Sequence, residues 1–265
     1  MRHRRAVRPF LLSIGSILLV SSLASSQAPQ PAQPSGPSQI VVEEEGHHHL
    51  VFENAYVKVL YVEIPAHEST LYHRHDLPYV SFPPPPLADA SPSQSTYGRS
   101  LSPEPHVSYA VGGFSHAMNN TSDVALRNIA IELLRPQGTV RNRCAEVLRG
   151  QPLENCVTVR KTKPESGDFV SSVKTLFETD EMSVIEWEIA KGSTISPADD
   201  RMSMLVGAFS GITDVTGGGD SRMVPKAGVI WLLAGSKATI TAAPDANGHF
   251  VAIRFKDSVR PDSAQ

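Results

Sequence analysis

Residues able to ligate a metal or act as nucleophiles are few in this chain, and their spacing narrows the chemistry they could do. The stretch Leu71-Tyr72-His73-Arg74-His75-Asp76 reads as a strand, which puts His73 and His75 on one face. Two imidazoles about 6–7 Å apart along a strand can converge on one ion. A third, His116, sits in Gly113-Phe114-Ser115-His116, just after a predicted turn and leading into another strand. Three neutral imidazoles suit one divalent transition metal (Fe, Mn, Ni, Cu or Zn) and leave positions open for water, substrate or dioxygen. With a redox metal the chemistry is that of an oxygenase; with zinc it is the activation of water. Other candidates read as background. His47-His48-His49, after Glu43-Glu44-Glu45, reads as a solvated approach to the first strand, with metal binding by a flexible tract as the alternative. His67 and His106 read as surface histidines near turns. Gly217-Gly218-Gly219-Asp220 lacks the lysine and strand–helix context of a phosphate loop. No G-x-S-x-G elbow occurs, and the cysteines have no catalytic setting.

The elements that must position these side chains are bounded by composition. The chain has 265 residues, 40% hydrophobic and 19% charged, enough to build a core and to exclude wholesale disorder. Only two cysteines exclude a four-cysteine metal site. A formal charge of −3 without a long basic run beyond residue 8 argues against nucleic acid. Arg2, Arg4, Arg5 and Arg8 precede an apolar run from Phe10 to Val20 and a small-residue zone up to Ala28. That is the pattern of a cleaved secretory signal over residues 1–28, and the run is short for a bilayer span. The expected location is therefore exported, periplasmic or extracellular, with no membrane association after cleavage. Pro29-Gln30-Pro31-Ala32-Gln33-Pro34 opens a Pro-rich linker over residues 29–46. In an oxidising compartment, Cys144 and Cys156 read as a disulfide.

The chain also repeats itself. At a shift of 125 residues, Leu60, Val62 and Ile64 fall on Ile185, Trp187 and Ile189; both sets alternate as in a strand with one buried face. At a shift of 122, Ile129, Ile131 and Leu133 fall on Val251, Ile253 and Phe255, and Gly113 on Gly235. Duplication of one strand-rich unit of about 100 residues follows. Strands are expected at 56–64, 71–81, 106–111, 115–119 and 125–134, which makes each half an all-β sandwich or barrel. Phe82–Pro105, with four consecutive prolines, is expected as a long loop or flap in which Phe82 and Tyr97 cover the barrel mouth.

These residues resemble the cupin superfamily, and its bicupins in particular. The first family motif, G-x5-H-x-H-x(3,4)-E-x6-G, is met by His73-x-His75; the end of the second, G-x5-P-x-G-x2-H-x3-N, is met by Gly113-x2-His116-x3-Asn120. The resemblance covers residues 47–258 and implies two tandem cupin-like jelly-roll barrels: barrel 1 at 47–140, a connection with both cysteines at 141–164, and barrel 2 at 165–258. It implies His73, His75 and His116 as metal ligands. The sequence departs from the motifs at three places. His67 stands for the opening glycine, whose counterpart in the second copy is Gly192; Val111 stands for the proline; and Tyr79 or Val80 stands for the glutamate. Tyr79 shares the parity of the two histidines and is a candidate proton donor, or else a packed strand tyrosine. In the second copy Ala198, Asp200 and Ala238 replace all three histidines, so the metal is expected in barrel 1 alone. The expected partners are a small-molecule ligand or substrate and, through barrel 2, a second copy in a homodimer. A non-catalytic ligand-binding or metal-binding bicupin is the alternative to an oxygenase.

Overall fold

Among the described residues, strand-forming segments punctuated by glycine and proline fold into sheets alone, apart from one turn of 3-10 helix at Val42–Glu44. The computed structural model describes residues 39–83, 94–95, 99–100, 107–197, 202–216, 221–224 and 227–256. The expected signal segment, residues 29–38 of the linker, Tyr97, His106, Ala198, Asp200 and the 217–220 loop lie outside them.

The first half contains β1 (Ile40–Val41), β2 (His48–Glu53), β3 (Val57–Ile64), β4 (His73–His75), β5 (Tyr79–Phe82), β6 (Gln94–Ser95), β7 (Arg99–Ser100), β8 (Ser108–Ala110), β9 (Phe114–His116) and β10 (Leu126–Leu133). The second contains β11 (Arg141–Asn142), β12 (Thr158–Thr162), β13 (Phe169–Glu178), β14 (Met182–Ile189), β15 (Thr194–Ile195), β16 (Met204–Ser210), β17 (Ile212–Thr216), β18 (Ser221–Val224), β19 (Val229–Leu232), β20 (Thr239–Ala242) and β21 (Gly248–Phe255). The fold is all-β, with two tandem halves that each pair a larger sheet with a three-stranded one. The larger sheet runs β2-β3-β10-β5-β8 in the first half, and the same order recurs as β13-β14-β21-β16-β19 in the second.

Register repeats as well as order. Glu132 lies opposite Lys58 and Tyr79, and its counterpart Arg254 lies opposite Ser183 and Met204. The small sheets agree too: Ser69 bridges Asn119, as Thr194 pairs with Thr241. Backbone conformation follows the same offsets, with φ of +61° at His67 and +66° at Gly192, and +72° at Gly113 and +74° at Gly235.

Four sequence expectations change. Phe82, expected in a flap over the barrel mouth, ends β5 and is buried in the core shared by the two halves. The strand expected over residues 71–81 is two short strands in different sheets, because Pro78 has no N–H to donate and the chain crosses from β4 to β5 there. Ile40–Glu45 is not linker: β1 pairs in parallel with β4, and Val42 is buried in the first half's own core. Finally, β3 and β10 are buried on both faces rather than one. Leu60, Val62, Ile64, Leu126 and Ala130 line the interior of the first half, whereas Val57, Val59, Tyr61, Ile129, Ile131 and Leu133 face outward. That outward face packs against Phe177, Val184, Leu205, Trp231, Val251, Ile253 and Phe255 of the second half. Among the described residues, the largest apolar cluster therefore lies between the halves. Cys144 and Cys156 are joined as a disulfide, and Cys144, Ala145 and Leu148 pack on that shared core.

Candidate metal centre

The inner wall of the first half collects four imidazoles from three strands. His73 and His75 are the ends of β4, and both are buried. Antiparallel pairing of β4 with β9 sets His116 directly opposite His73. The turn that makes this possible is glycine-dependent: at Gly112, with φ +76°, a Cβ would lie 2.5 Å from the Leu77 carbonyl carbon and oxygen. The ring centroids of His73 and His116 are 4.6 Å apart, those of His75 and His116 5.2 Å, and those of His73 and His75 5.1 Å.

The fourth imidazole is His48, which the sequence reading assigned to a solvated tract. It is buried at the start of β2, opposite Val62, with its ring centroid 4.6 Å from His73 and 5.9 Å from His75. Ligand-capable nitrogens of His48, His73 and His75 all lie within 4.8 Å of one another, a spacing that one ion can bridge. Its neighbours His47 and His49 are half-buried and exposed. A bulge between Leu50 and Phe52 reverses the alternation, so Phe52 faces the inter-half core while His48 faces inward.

Fixed acceptors set the tautomers. His48 Nδ1 lies 2.7 Å from Glu45 Oε2, and His73 Nδ1 lies 2.8 Å from the Leu71 carbonyl oxygen. With Nδ1–H donating in each case, Nε2 carries the free lone pair. Glu45 is itself buried and accepts further bonds from the backbone N–H groups of His47 and Leu71 and from the His47 ring. Burial alone would raise its pKa, but hydrogen bonds from His47, His48 and these amides prevail and hold it at about 2. Burial, reinforced by the neighbouring imidazoles, pushes His116 down to about 4. His48 also falls to about 4, because burial outweighs its bond to Glu45. Burial lowers His73 as well. Burial thus favours the neutral form of His48, His73 and His116, the form that ligates metal.

Orphaned polar atoms mark the same place. His73 Nε2, His75 Nδ1, His116 Nε2 and both carboxylate oxygens of Glu132 are buried without hydrogen-bond partners. Native proteins rarely leave such groups unpaired; His73 Nε2 and His116 Nε2, on paired strands, fit a cation as the missing partner. Glu132 sits on the inner face of β10 and was not singled out from the sequence. Tyr79 opens β5 with its ring 4.6 Å from His75 and packs on the inner apolar cluster; Phe114 lies 5.8 Å from His75. Asn120 is a structural residue: it is buried and donates to the backbone carbonyls of Ile64, Pro65 and Val124.

The second half fills the equivalent space differently. Val173 lies opposite Trp187 as His48 lies opposite Val62; Ala238 is the counterpart of His116; and Trp187 stacks on Phe250. Elsewhere in that half, a polar cleft of about 290 Å³ is lined by Thr158, Ser172, Lys174, Glu186, Glu188 and His249. Its strands carry none of the four clustered imidazoles.

No family model matches the sequence, and no curated protein matches it. Solved structures with a similar backbone include AerE from Microcystis aeruginosa, at 8% identity over 79% of this chain and 97% of that one, with a TM-score of 0.44. Salicylate 1,2-dioxygenase from Pseudaminobacter salicylatoxidans matches at 12% identity over 75% and 70%, with a TM-score of 0.45. A putative glyoxylate induced protein from Pseudomonas aeruginosa matches at 13% identity over 79% and 78%, with a TM-score of 0.49. At such distances the likeness says nothing about substrate or mechanism.

Proposed function

We propose that this chain is an exported bicupin whose first half holds one divalent transition metal and uses it for oxygenase-type chemistry on a small organic substrate. The observation that carries this reading is the convergence of four imidazoles on the inner wall, with His73 Nε2 and His116 Nε2 buried there without a hydrogen-bond partner. His48, His73 and His75 form the primary set, and His116 closes it from β9. When bound, a redox-active ion supplies electrons and open positions for dioxygen and substrate, whereas zinc supplies Lewis acidity. The protein's own contributions are distinct. Glu45 and the Leu71 carbonyl fix the His48 and His73 rings through Nδ1, leaving each Nε2 as the nitrogen that would hold a metal. The apolar wall of Leu60, Val62, Ile64 and Ala130 excludes water from the inner end. Tyr79, against His75, is the candidate proton donor to a bound ligand.

A second reading, a non-catalytic metal or small-ligand carrier, draws on how deeply His73 and His75 are buried. Metal content by mass spectrometry, wild type beside His73→Ala/His75→Ala, tests the shared premise. About one equivalent of metal in wild type, lost in a variant that keeps its circular dichroism, is the expected result. Absence of metal from folded wild-type protein contradicts the enzyme and the metal carrier and leaves the small-ligand carrier. Oxygen uptake by the metal-loaded protein then separates the enzyme from the carrier.

A further inference from the structure

Glu132 is a buried carboxyl group on the inner wall of the first half, with neither oxygen hydrogen-bonded. A carboxylate left so in an apolar strand is costly, and its environment offers few partners. Lys58, across β3, already pairs with Glu43 at 2.7 Å. Tyr79 lies across β5. The nearest unsatisfied donor is His75 Nδ1, 3.5 Å from Glu132 Oε1 and likewise without a hydrogen bond.

The pattern set by the other two imidazoles identifies this contact. His48 has its Nδ1 on Glu45 and His73 has its Nδ1 on the Leu71 carbonyl, so each presents Nε2 to the cluster. His75 lacks only an acceptor closed onto its Nδ1, and Glu132 stands where that acceptor belongs. The duplicate half supplies an independent comparison. There the counterpart of Glu132 is Arg254, in the matching register, and the clustered imidazoles are gone. The carboxylate thus occurs in the half that has the imidazoles and is replaced by a cation in the half that lacks Ala238's histidine counterpart.

We propose that Glu132 is the positioning residue of His75: it accepts the Nδ1–H and so turns Nε2 toward the cluster. This rests on the metal-site reading above. Outer acceptors of this type typically change metal affinity by about 10–100-fold when removed.

Chelator competition with Co(II), on wild type, Glu132→Leu and Glu132→Gln, tests it, alongside the thermal midpoints of the metal-free proteins. Glu132→Leu is expected to weaken Co(II) binding at least about tenfold while leaving the metal-free midpoint unchanged or higher. Glu132→Gln, whose amide oxygen still accepts a hydrogen bond, is expected to retain most of the affinity. Unchanged affinity in Glu132→Leu overturns the proposal, and so does an equal loss in both variants, which would make Glu132 a direct ligand. A lowered metal-free midpoint that tracks the affinity loss makes its role merely structural and also overturns it. Failure of wild type to bind Co(II) rejects the site itself.

Discussion

His48 reaches the inner wall only because the bulge at Leu50/Phe52 reverses the alternation of β2. His73, His75 and His116 need no such device. Their two-residue spacing and the Gly112-Gly113 turn place them, which is why all three were legible as a cluster in the sequence and His48 was not. Bulges leave no clear signature in Leu50-Val51-Phe52. Glu132 was hidden by a different error: a strand read with one buried face sends a glutamate to solvent, whereas β10 is covered on both sides. The bulge-placed histidine is testable. His48→Ala is expected to weaken metal binding at least tenfold, and His49→Ala, altering an exposed residue next to it, to leave binding unchanged, both read by chelator competition.

At the level of elements, strand positions were legible where alternation was long, as in β3, β10, β14 and β21. The break within residues 71–81 was not, because His73 to Ser81 keeps one continuous parity through Pro78. The turn before β4 takes the same backbone conformation in both copies. His67 adopts φ +61° where the second copy has Gly192 at +66°, and its side chain gains only an exposed contact to Asp123 at 2.9 Å. A non-glycine residue in this region is strained by about 1–2 kcal/mol, whereas an exposed ion pair contributes about 0–1 kcal/mol. His67→Gly is therefore expected to raise stability by roughly 1 kcal/mol in denaturant unfolding, less the greater flexibility glycine gives the unfolded chain. A clear loss of stability would mean that the Asp123 contact outweighs the strain.

Across the whole molecule, the duplication was legible as two sequence offsets, but the packing of the copies was not. Alternation shows which residues share a face and not what covers that face. The shared core predicts that the halves unfold together. Phe177, fully buried between them beside Tyr109, is expected to cost about 3–5 kcal/mol as Phe177→Ala. The variant should keep one transition by both near-ultraviolet and far-ultraviolet circular dichroism; two separated transitions would contradict a common core. Alkali acts on the same interface. Burial raises Tyr109 to about 12; burial, then the bond to Glu63, raises Tyr61 to about 12. Their unfolded value is about 10, so the unfolded chain loses these protons first. Their contribution to stability is full below pH 10 and is lost as pH rises from about 10 to 12. Urea midpoints that stay level over that interval would contradict the assignment.

X-ray absorption at the metal edge of the Zn(II)-loaded full chain addresses the central claim most directly. It should show three to four nitrogen scatterers at about 2.0–2.1 Å with the multiple-scattering pattern of imidazole. A shell of oxygen alone, or at most one imidazole per ion, would place the metal elsewhere and remove the basis for the proposed centre.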